Sequence, residues 1–343
     1  MTHMTGKTLL ITGGAGFIAH HVISYFLKNT DYNIISLDRL DFSGNLNRLH
    51  QMMEEFDKDT KKRLKVVYHD LRAEFNDQTK EMLGDINIII HMAASTHVTR
   101  SIQYPLEFIQ NNIIGTAHLL EYARTLKNLE RMIFFSTDEV FGPAIPNVRF
   151  TEYDRYNAAN PYSASKAAAE ELCVAYSNTY NIPIYITHTM NVFGERQAVE
   201  KYIPMTIEKI KNDEKIIIHT NKKTNTIGSR CYLHALDVGD ALLFLLNLKE
   251  IYLPPDHKGG KSPKFNIAST EELNNLEVAQ IIAEAQGKEL NYELIEPEDR
   301  PGHDFRYSIS GDYMRELGWQ PKIPVKERLT EVVKWTINQN EKS

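Results

Sequence analysis

Short runs of apolar residues recur through the first half of the chain, separated by longer stretches with helical spacing. "KTLLIT" at 7–12, "NIISLD" at 33–38, "LKVVYH" at 64–69 and "INIIIHMAA" at 86–94 read as strands, followed by "RMIFFS" at 131–136 and "IPIYITHT" at 182–189. The runs are continuous and not alternating, the pattern of parallel strands covered on both faces. Helical segments fit between them, notably 105–127 and 163–180. Repeated βα units of this kind predict an α/β fold, a Rossmann-like doubly wound parallel sheet. Beyond about residue 190 the pattern becomes irregular, with helices placed near 203–212 and 275–287. The expected organisation is a dinucleotide-binding domain over 5–190, to which 229–262 returns, and a smaller C-terminal substrate-binding lobe from 191–228 and 263–330.

Composition narrows the class. With 343 residues the chain can bury a large core, and its net charge of −6, without a basic block, argues against nucleic acid as a partner. The two cysteines, Cys173 and Cys231, cannot form a disulfide framework and are expected to be free thiols. The longest purely apolar run, Ala241–Leu246, is far too short to span a bilayer, and the N-terminal residues lack a signal-peptide core. A cytoplasmic enzyme without membrane contact is expected, and no metal-ligand cluster is predicted.

The first strand leads into "TGGAGFIAHH". Gly13 permits a tight turn, Gly16 lets the backbone approach a pyrophosphate, and the small Ala19 allows close packing of the following helix, whose N-terminus favours an anion. Asp38 ends the second strand 19 residues after Ala19, where a carboxylate would accept hydrogen bonds from an adenosine ribose and repel a 2′-phosphate. NAD is therefore expected over NADP, with His20 and Arg39 as nearby cations that count against it. Asp70, ending the third strand, is a candidate for the adenine edge.

Two further stretches carry chemistry. "NPYSASKAAAEE" sets Tyr162 and Lys166 four apart on one helix face. A lysine beside a phenol, with a positively charged nicotinamide, is expected to lower the Tyr162 pKa and make it a base. In "MIFFSTDEVFGP" the apolar strand ends on Thr137, Asp138 and Glu139, an acid and a potential base side by side. Ser136 and Glu139 also spell a helix capping box, but Gly142, Pro143 and Pro146 would end such a helix within a turn.

These elements, with "HMAASTHVTRSI", "NNIIGT", "VEKYIP", "RPGHDFRY" and "LGWQP", occur in an order that resembles the extended short-chain dehydrogenases/reductases, and among them the nucleoside-diphosphate-glucose 4,6-dehydratases. The resemblance covers nearly the whole chain. It implies oxidation of a sugar at C4, elimination of water across C5 and C6, and reduction at C6, with NAD regenerated in each turnover. By the family pattern Asp138 is the acid for the C6 hydroxyl and Glu139 the base for the C5 proton. Thr137 and Tyr162 hold the C4 oxygen, and Lys166 supports Tyr162. Cofactor contacts carried over are Gly13, Gly16, Phe17, Ile18, Asp38, Asp70, Leu71, Ala93, Ala94, Asn112, Tyr162 and Lys166. Substrate contacts carried over are His97, with Arg100 near it, and Asn191, Lys201, Arg230, Asn266 and Arg300.

Three departures bear on the substrate. Ser95 and Thr99 stand where dTDP-glucose enzymes carry acidic residues, Val192 replaces an asparagine, and "HTNKKTNTIGSR" is longer than the family's short glycine-containing loop. The sugar nucleotide is left open among dTDP-glucose, UDP-glucose and UDP-N-acetylglucosamine, with accompanying C5 epimerisation possible on the last. The rival readings are a 4-epimerase and, from a different class, a non-catalytic NAD-sensing module. The resemblance also implies a homodimer through the 105–127 and 163–180 helices, for which Leu119, Leu120, Ala123, Ala168 and Leu172 are candidate contacts.

Overall fold

The computed structural model describes residues 6–41, 43–145, 148–221, 226–251, 253, 257, 260–269, 271–296 and 306–340. Its centre is a seven-stranded sheet built from β1 (Thr8–Thr12), β2 (Asn33–Asp38), β3 (Leu64–Tyr68), β4 (Ile88–His91), β5 (Arg131–Thr137), β6 (Ile184–Thr189) and β7 (Lys264–Ile267). The spatial order is β7-β6-β5-β4-β1-β2-β3, and every pairing is parallel. The order reverses between β1 and β4, which places a crevice at the carboxyl ends of those strands.

Alternate residues of the inner strands feed two cores. Leu9, Ile11, Ile88 and Ile90 face a cluster that includes Val22, Ile23 and Phe26 of helix α1 (Phe17–Asn29). Leu10, Ile89, Met132 and Phe134 face a second cluster with Leu119, Leu120 and Ala169. Covering on both faces explains why the inner strands read as unbroken apolar runs, whereas β3, at the sheet edge, leaves Val66 and Tyr68 exposed. The second core also corrects the expected dimer contacts. Leu119, Leu120 and Ala123 are at most 2% exposed and pack on the sheet, so they are not available to a partner.

The smaller lobe has its own core. Helices Tyr202–Lys211, Asn275–Gln286 and Val325–Asn340 bury Ile207, Ile282 and Val333 against the strand Ile216–Asn221. That strand pairs in parallel with Tyr292–Ile295. The lobe boundary differs from the one expected at 263. β7 lies at the edge of the main sheet beside β6, and Tyr313, Met314 and Trp319 pack into the first core. The strand "KFNI" escaped notice because it is four residues long and carries a buried asparagine and a lysine. The helix Ala235–Asn247 packs in the main domain through Val238, Ala241, Leu242 and Leu245.

Candidate active site

The crevice is lined by Gly13, Gly16, Asp38, Asp70, Leu71, Ala93 and Ala94, all expected to contact a dinucleotide. Its floor has no room for side chains. Gly13 has φ +71°, and a Cβ there would fall 2.8 Å from the Ala93 Cα. A Cβ on Gly16 would fall 2.9 Å from the Gly13 carbonyl oxygen, and one on Gly44 would fall 2.6 Å from an Asp38 carboxylate oxygen. Gly16 caps α1 without a side-chain hydrogen bond, so the first-turn N–H groups are left for an anion. This cradle fits the diphosphate and ribose of NAD. Phe17 and Ile18 open the helix behind it, Phe17 against the His21 ring and Ile18 against the first core.

Asp38 is held from two sides, accepting from Ala15 N at 3.1 Å and Leu40 N at 2.8 Å. Burial pushes its carboxyl upward, against those two N–H groups. Neither nearby cation is free for a 2′-phosphate. Arg39 donates to Asp41 at 2.6 and 2.9 Å and to Asn111 Oδ1 at 2.8 Å, and lies 3.8 Å from Asp70. His20 is buried and driven down to about 2 by desolvation and by its neighbour His21.

Asn112 does not line the crevice. It is 2% exposed and shapes the wall, accepting from Ser95 N at 2.8 Å and donating to Ser95 O at 3.0 Å and Ser165 Oγ at 2.8 Å. Its neighbour Asn111, which sequence reasoning passed over, does line the crevice and donates to Ser95 Oγ at 2.7 Å. A π-helical stretch, Ile109–Ile114, interrupts the helix expected at 105–127. Such bulges re-aim successive side chains at functional sites. The doubled asparagine was the available signal.

The groups expected to react lie at the end of β5, in the turn that follows it, and at the start of the helix beginning at Pro161. β5 ends at Thr137, whose hydroxyl accepts from Glu139 N at 3.3 Å and caps a short 3₁₀ turn, Asp138–Phe141. Ser136 does not form the alternative capping box, because its hydroxyl donates to Glu170. Gly142, at φ +79°, ends the turn. Asp138 is buried, with Oδ1 accepting from Thr137 at 3.1 Å and Oδ2 without a hydrogen-bond partner. Desolvation, followed by the charge of Glu139, pushes its carboxyl up to about 7, against the Thr137 bond and the Arg230 charge. Glu139 is only part-buried and accepts from Asn160 Nδ2 at 3.1 Å.

Asn160 was also missed in the sequence. Its side chain accepts from Ser163 N at 2.9 Å and caps helix α2 (Pro161–Tyr180), with Pro161 in the first turn. One residue thus starts the helix that carries Tyr162 and Lys166 and holds the Glu139 carboxylate. "NP" before the tyrosine was the readable cue.

Lys166 is buried, donates to Phe135 O at 2.8 Å and lies 4.2 Å from the Phe134 ring centre. Burial lowers its ammonium to about 8, partly offset by Glu170. The protein alone does not lower the Tyr162 pKa. Burial, then the charges of Glu139 and Asp138, push it up, and only the Thr137 hydrogen bond opposes them. The expected lowering leaves out the carboxylates of Asp138 and Glu139 in the turn after β5.

The expected substrate contacts are spread more widely. Arg230 sits on the strand Ser229–Cys231, its guanidinium 5.4 Å from the Tyr307 ring centre, and its charge reaches Asp138. His97 caps the short helix Val98–Gln103 and Lys201 starts Tyr202–Lys211, both exposed. Arg100 pairs with Glu107 at 3.0 Å. Asn191 has φ +33°, a conformation asparagine tolerates, just past β6. Asn266 is corrected. It is 0% exposed, and its amide is used by His188 at 3.0 Å and Phe150 O at 3.1 Å, so it belongs to the packing of β7. Arg300 and the rest of "RPGHD" lie outside the described residues. Among the described residues, no helix is long and apolar enough to cross a membrane, and no group of His, Cys, Asp and Glu side chains could hold a metal.

Comparisons with known proteins agree with this geometry. A sequence model of the family described as GDP-mannose 4,6 dehydratase matches residues 10–332. A dTDP-D-glucose 4,6-dehydratase of Mus musculus is 33% identical over 335 residues, covering 96% of this chain and 88% of the relative. The crystal structure of a dTDP-glucose 4,6-dehydratase from Streptomyces venezuelae with NAD bound superposes with a TM-score of 0.81 at 28% identity, covering 97% and 98% of the two chains. A UDP-glucuronic acid 4-epimerase from Bacillus cereus shares the fold, with a TM-score of 0.81 at 22% identity over 97% and 99% of the chains. With its glycine cradle, its Tyr162–Lys166 face and its adjoining carboxylates, the chain belongs to the nucleoside-diphosphate-sugar 4,6-dehydratases, NAD-using hydro-lyases of the extended short-chain dehydrogenase/reductase superfamily.

Proposed function

We propose that the enzyme converts a nucleoside-diphosphate hexose into its 4-keto-6-deoxy product, with dTDP-glucose the first substrate to test. The observation that carries this reading is the unequal pair at the end of β5: a buried Asp138 that favours its proton beside a part-buried Glu139 held by Asn160. Dehydration across C5 and C6 needs a proton donor and a proton acceptor on one small fragment.

In this scheme NAD, when bound, supplies oxidation of the C4 alcohol and the later reduction at C6. Tyr162 takes the C4 hydroxyl proton, and Lys166 across one helix turn stabilises the phenolate. Thr137 and Tyr162 then donate to the C4 oxygen, so that negative charge developing there on loss of the C5 proton is stabilised. Glu139 removes that proton and Asp138 protonates the departing C6 hydroxyl. Arg230, near Asp138, and Lys201 are the proposed diphosphate cations among the described residues, and Arg300 is a third by sequence. Asn191 and His97 are proposed to orient the sugar.

The choice of dTDP-glucose rests on the similarity to dTDP-D-glucose 4,6-dehydratases. The direct test is mass spectrometry of product from dTDP-glucose, UDP-glucose and UDP-N-acetylglucosamine. Loss of about 18 mass units, one water by the elimination chemistry, marks dehydration. An unchanged mass with inverted C4 would favour the 4-epimerase. The proposal extends to a cytoplasmic homodimer. Support for pairing comes from Ile102, Tyr104, Leu106 and Ile109, which are 41–74% exposed along 98–114. A monomeric mass by light scattering would refute it.

A further inference from the structure

Helix α2 carries a third ionisable group that the proposed chemistry does not use. Tyr162, Lys166 and Glu170 are spaced four apart, so all three share one face. Glu170 is 0% exposed, and a buried carboxylate without partners would be strongly unfavourable. Its partners come from several elements. Oε1 accepts from Ser136 Oγ, on the residue immediately before the Thr137–Glu139 triplet of β5. Oε2 accepts from the Tyr156 hydroxyl and faces His188 Nε2 of β6 at 3.1 Å. Lys264 Nζ of β7 is 3.9 Å away and also donates to Tyr156.

Both ring nitrogens of His188 are engaged. Asn266 donates its amide N–H to Phe150 O, so its amide oxygen is the atom 3.0 Å from His188 Nδ1. The other ring nitrogen faces the Glu170 carboxylate. Acceptors therefore face both ring nitrogens, an arrangement whose hydrogen bonds only a doubly protonated ring satisfies in full. Glu170 is thus the negative centre among Lys166, His188 and Lys264, with the buried Cys173 thiol on its own helix and the Tyr156 hydroxyl beside it. Burial alone would raise its carboxyl, but His188, Lys264 and Ser136 together hold it below the ordinary value.

We propose that Glu170 is a positioning residue for proton transfer. Its charge, locked by His188, keeps Lys166 protonated beside Tyr162, and its bond to Ser136 fixes the strand end bearing Asp138 and Glu139 against the helix bearing Tyr162. This rests on the roles given above to Lys166 and Tyr162. A network that merely welds the elements together would show in stability and not in the ionisation of Lys166.

Two variants of the full-length, NAD-loaded protein separate these outcomes. Glu170→Gln removes the negative charge, so the alkaline limb of kcat with dTDP-glucose should move down by at least about one pH unit. His188→Gln removes the cation that offsets Glu170, so the same limb should move up. Opposite shifts from the two halves of one pair are not expected of general loosening. Limbs that stay in place, or move the same way, in either folded variant overturn the proposal. Ring-nitrogen spectra of ¹⁵N-histidine-labelled wild-type protein give a reading independent of activity. The ring signal lost in His188→Gln reports whether both nitrogens carry protons at pH 7, and a neutral ring there overturns the proposal even if neither variant folds. Absence of turnover on every sugar nucleotide would instead refute the substrate reading, with the nitrogen spectra still deciding the pair.

Discussion

Replacing Asp138 by Asn should stabilise the protein at alkaline pH while disabling it. Asp138 titrates near 3.8 in an unfolded chain and at about 7 here, so the folded state binds the proton more tightly. Linkage then makes stability greatest below the unfolded value and lowers it as pH rises toward 7. A rise of about three units at about 1.4 kcal/mol each gives up to ~4 kcal/mol lost on ionisation. Glu139 shares the titration, which makes this an upper limit for Asp138 alone. Its cause is visible in the burial of the carboxyl and the unpartnered Oδ2, which the Thr137 hydroxyl on Oδ1, the field of Arg230 and a backbone N–H offset in part. Asn carries no charge at any pH and escapes the loss. Urea unfolding at pH 5 and pH 8, at fixed NAD, should show wild type losing stability between the two and Asp138→Asn losing less. The stability gap between the variants should be smaller at pH 5 than at pH 8, and turnover of Asp138→Asn should fall by about 10²–10⁴. If both proteins lost the same stability between pH 5 and 8, Asp138 would be ionised throughout and could not be the acid.

Glu139→Gln should leave sugar oxidation largely intact and slow elimination by about 10²–10⁴, so reduced nicotinamide accumulates at 340 nm, an approximate optical marker of a stalled second step. Tyr162→Phe should form no reduced cofactor, and equal loss in both variants would refute the separation of roles. Asp38→Ala should weaken NAD by about tenfold or more in isothermal titration, a loss of about 1.4 kcal/mol, and unchanged affinity would show that Asp38 only braces Ala15 and Leu40. Asn160→Ala should cost about 1 kcal/mol of stability through the lost cap and lower turnover with dTDP-glucose more than it raises KM, which parallel kinetics and urea unfolding would check.

The sheet was legible because parallel strands bury both faces, and β2 shows this with all six residues buried. β7 was not legible, since its pairing with β6 spans a long sequence gap and four residues carry little pattern. The glycine cradle could be read because only glycine meets its backbone contacts, whereas the π-helical turn at Ile109–Ile114 carries no periodic signature, and the partners of its Asn111 and Asn112 lie far away in sequence. Glu170 was invisible for a different reason. In "AAAEE" it has the composition of a solvent-facing turn, and its partners Ser136, His188 and Lys264 come from three separate strands. Periodicity locates faces, but a buried charge is identified only by what surrounds it.

That distinction bears on the division of labour proposed for the two adjacent carboxylates. Neighbours on an extended strand would point to opposite faces, and on an α-helix they would lie about 100° apart. Here the strand gives way to a 3₁₀ turn between Thr137 and Asp138, so the two side chains leave the backbone at a change of geometry. Asp138 turns into protein and loses water, which favours its proton. Glu139 stays part-exposed and meets the Asn160 amide, a donor that favours a carboxylate over an acid. Each charge state supports the other, because an ionised Glu139 raises its neighbour. The pair is therefore set up before substrate arrives, with one proton between two groups and the environment deciding which group holds it.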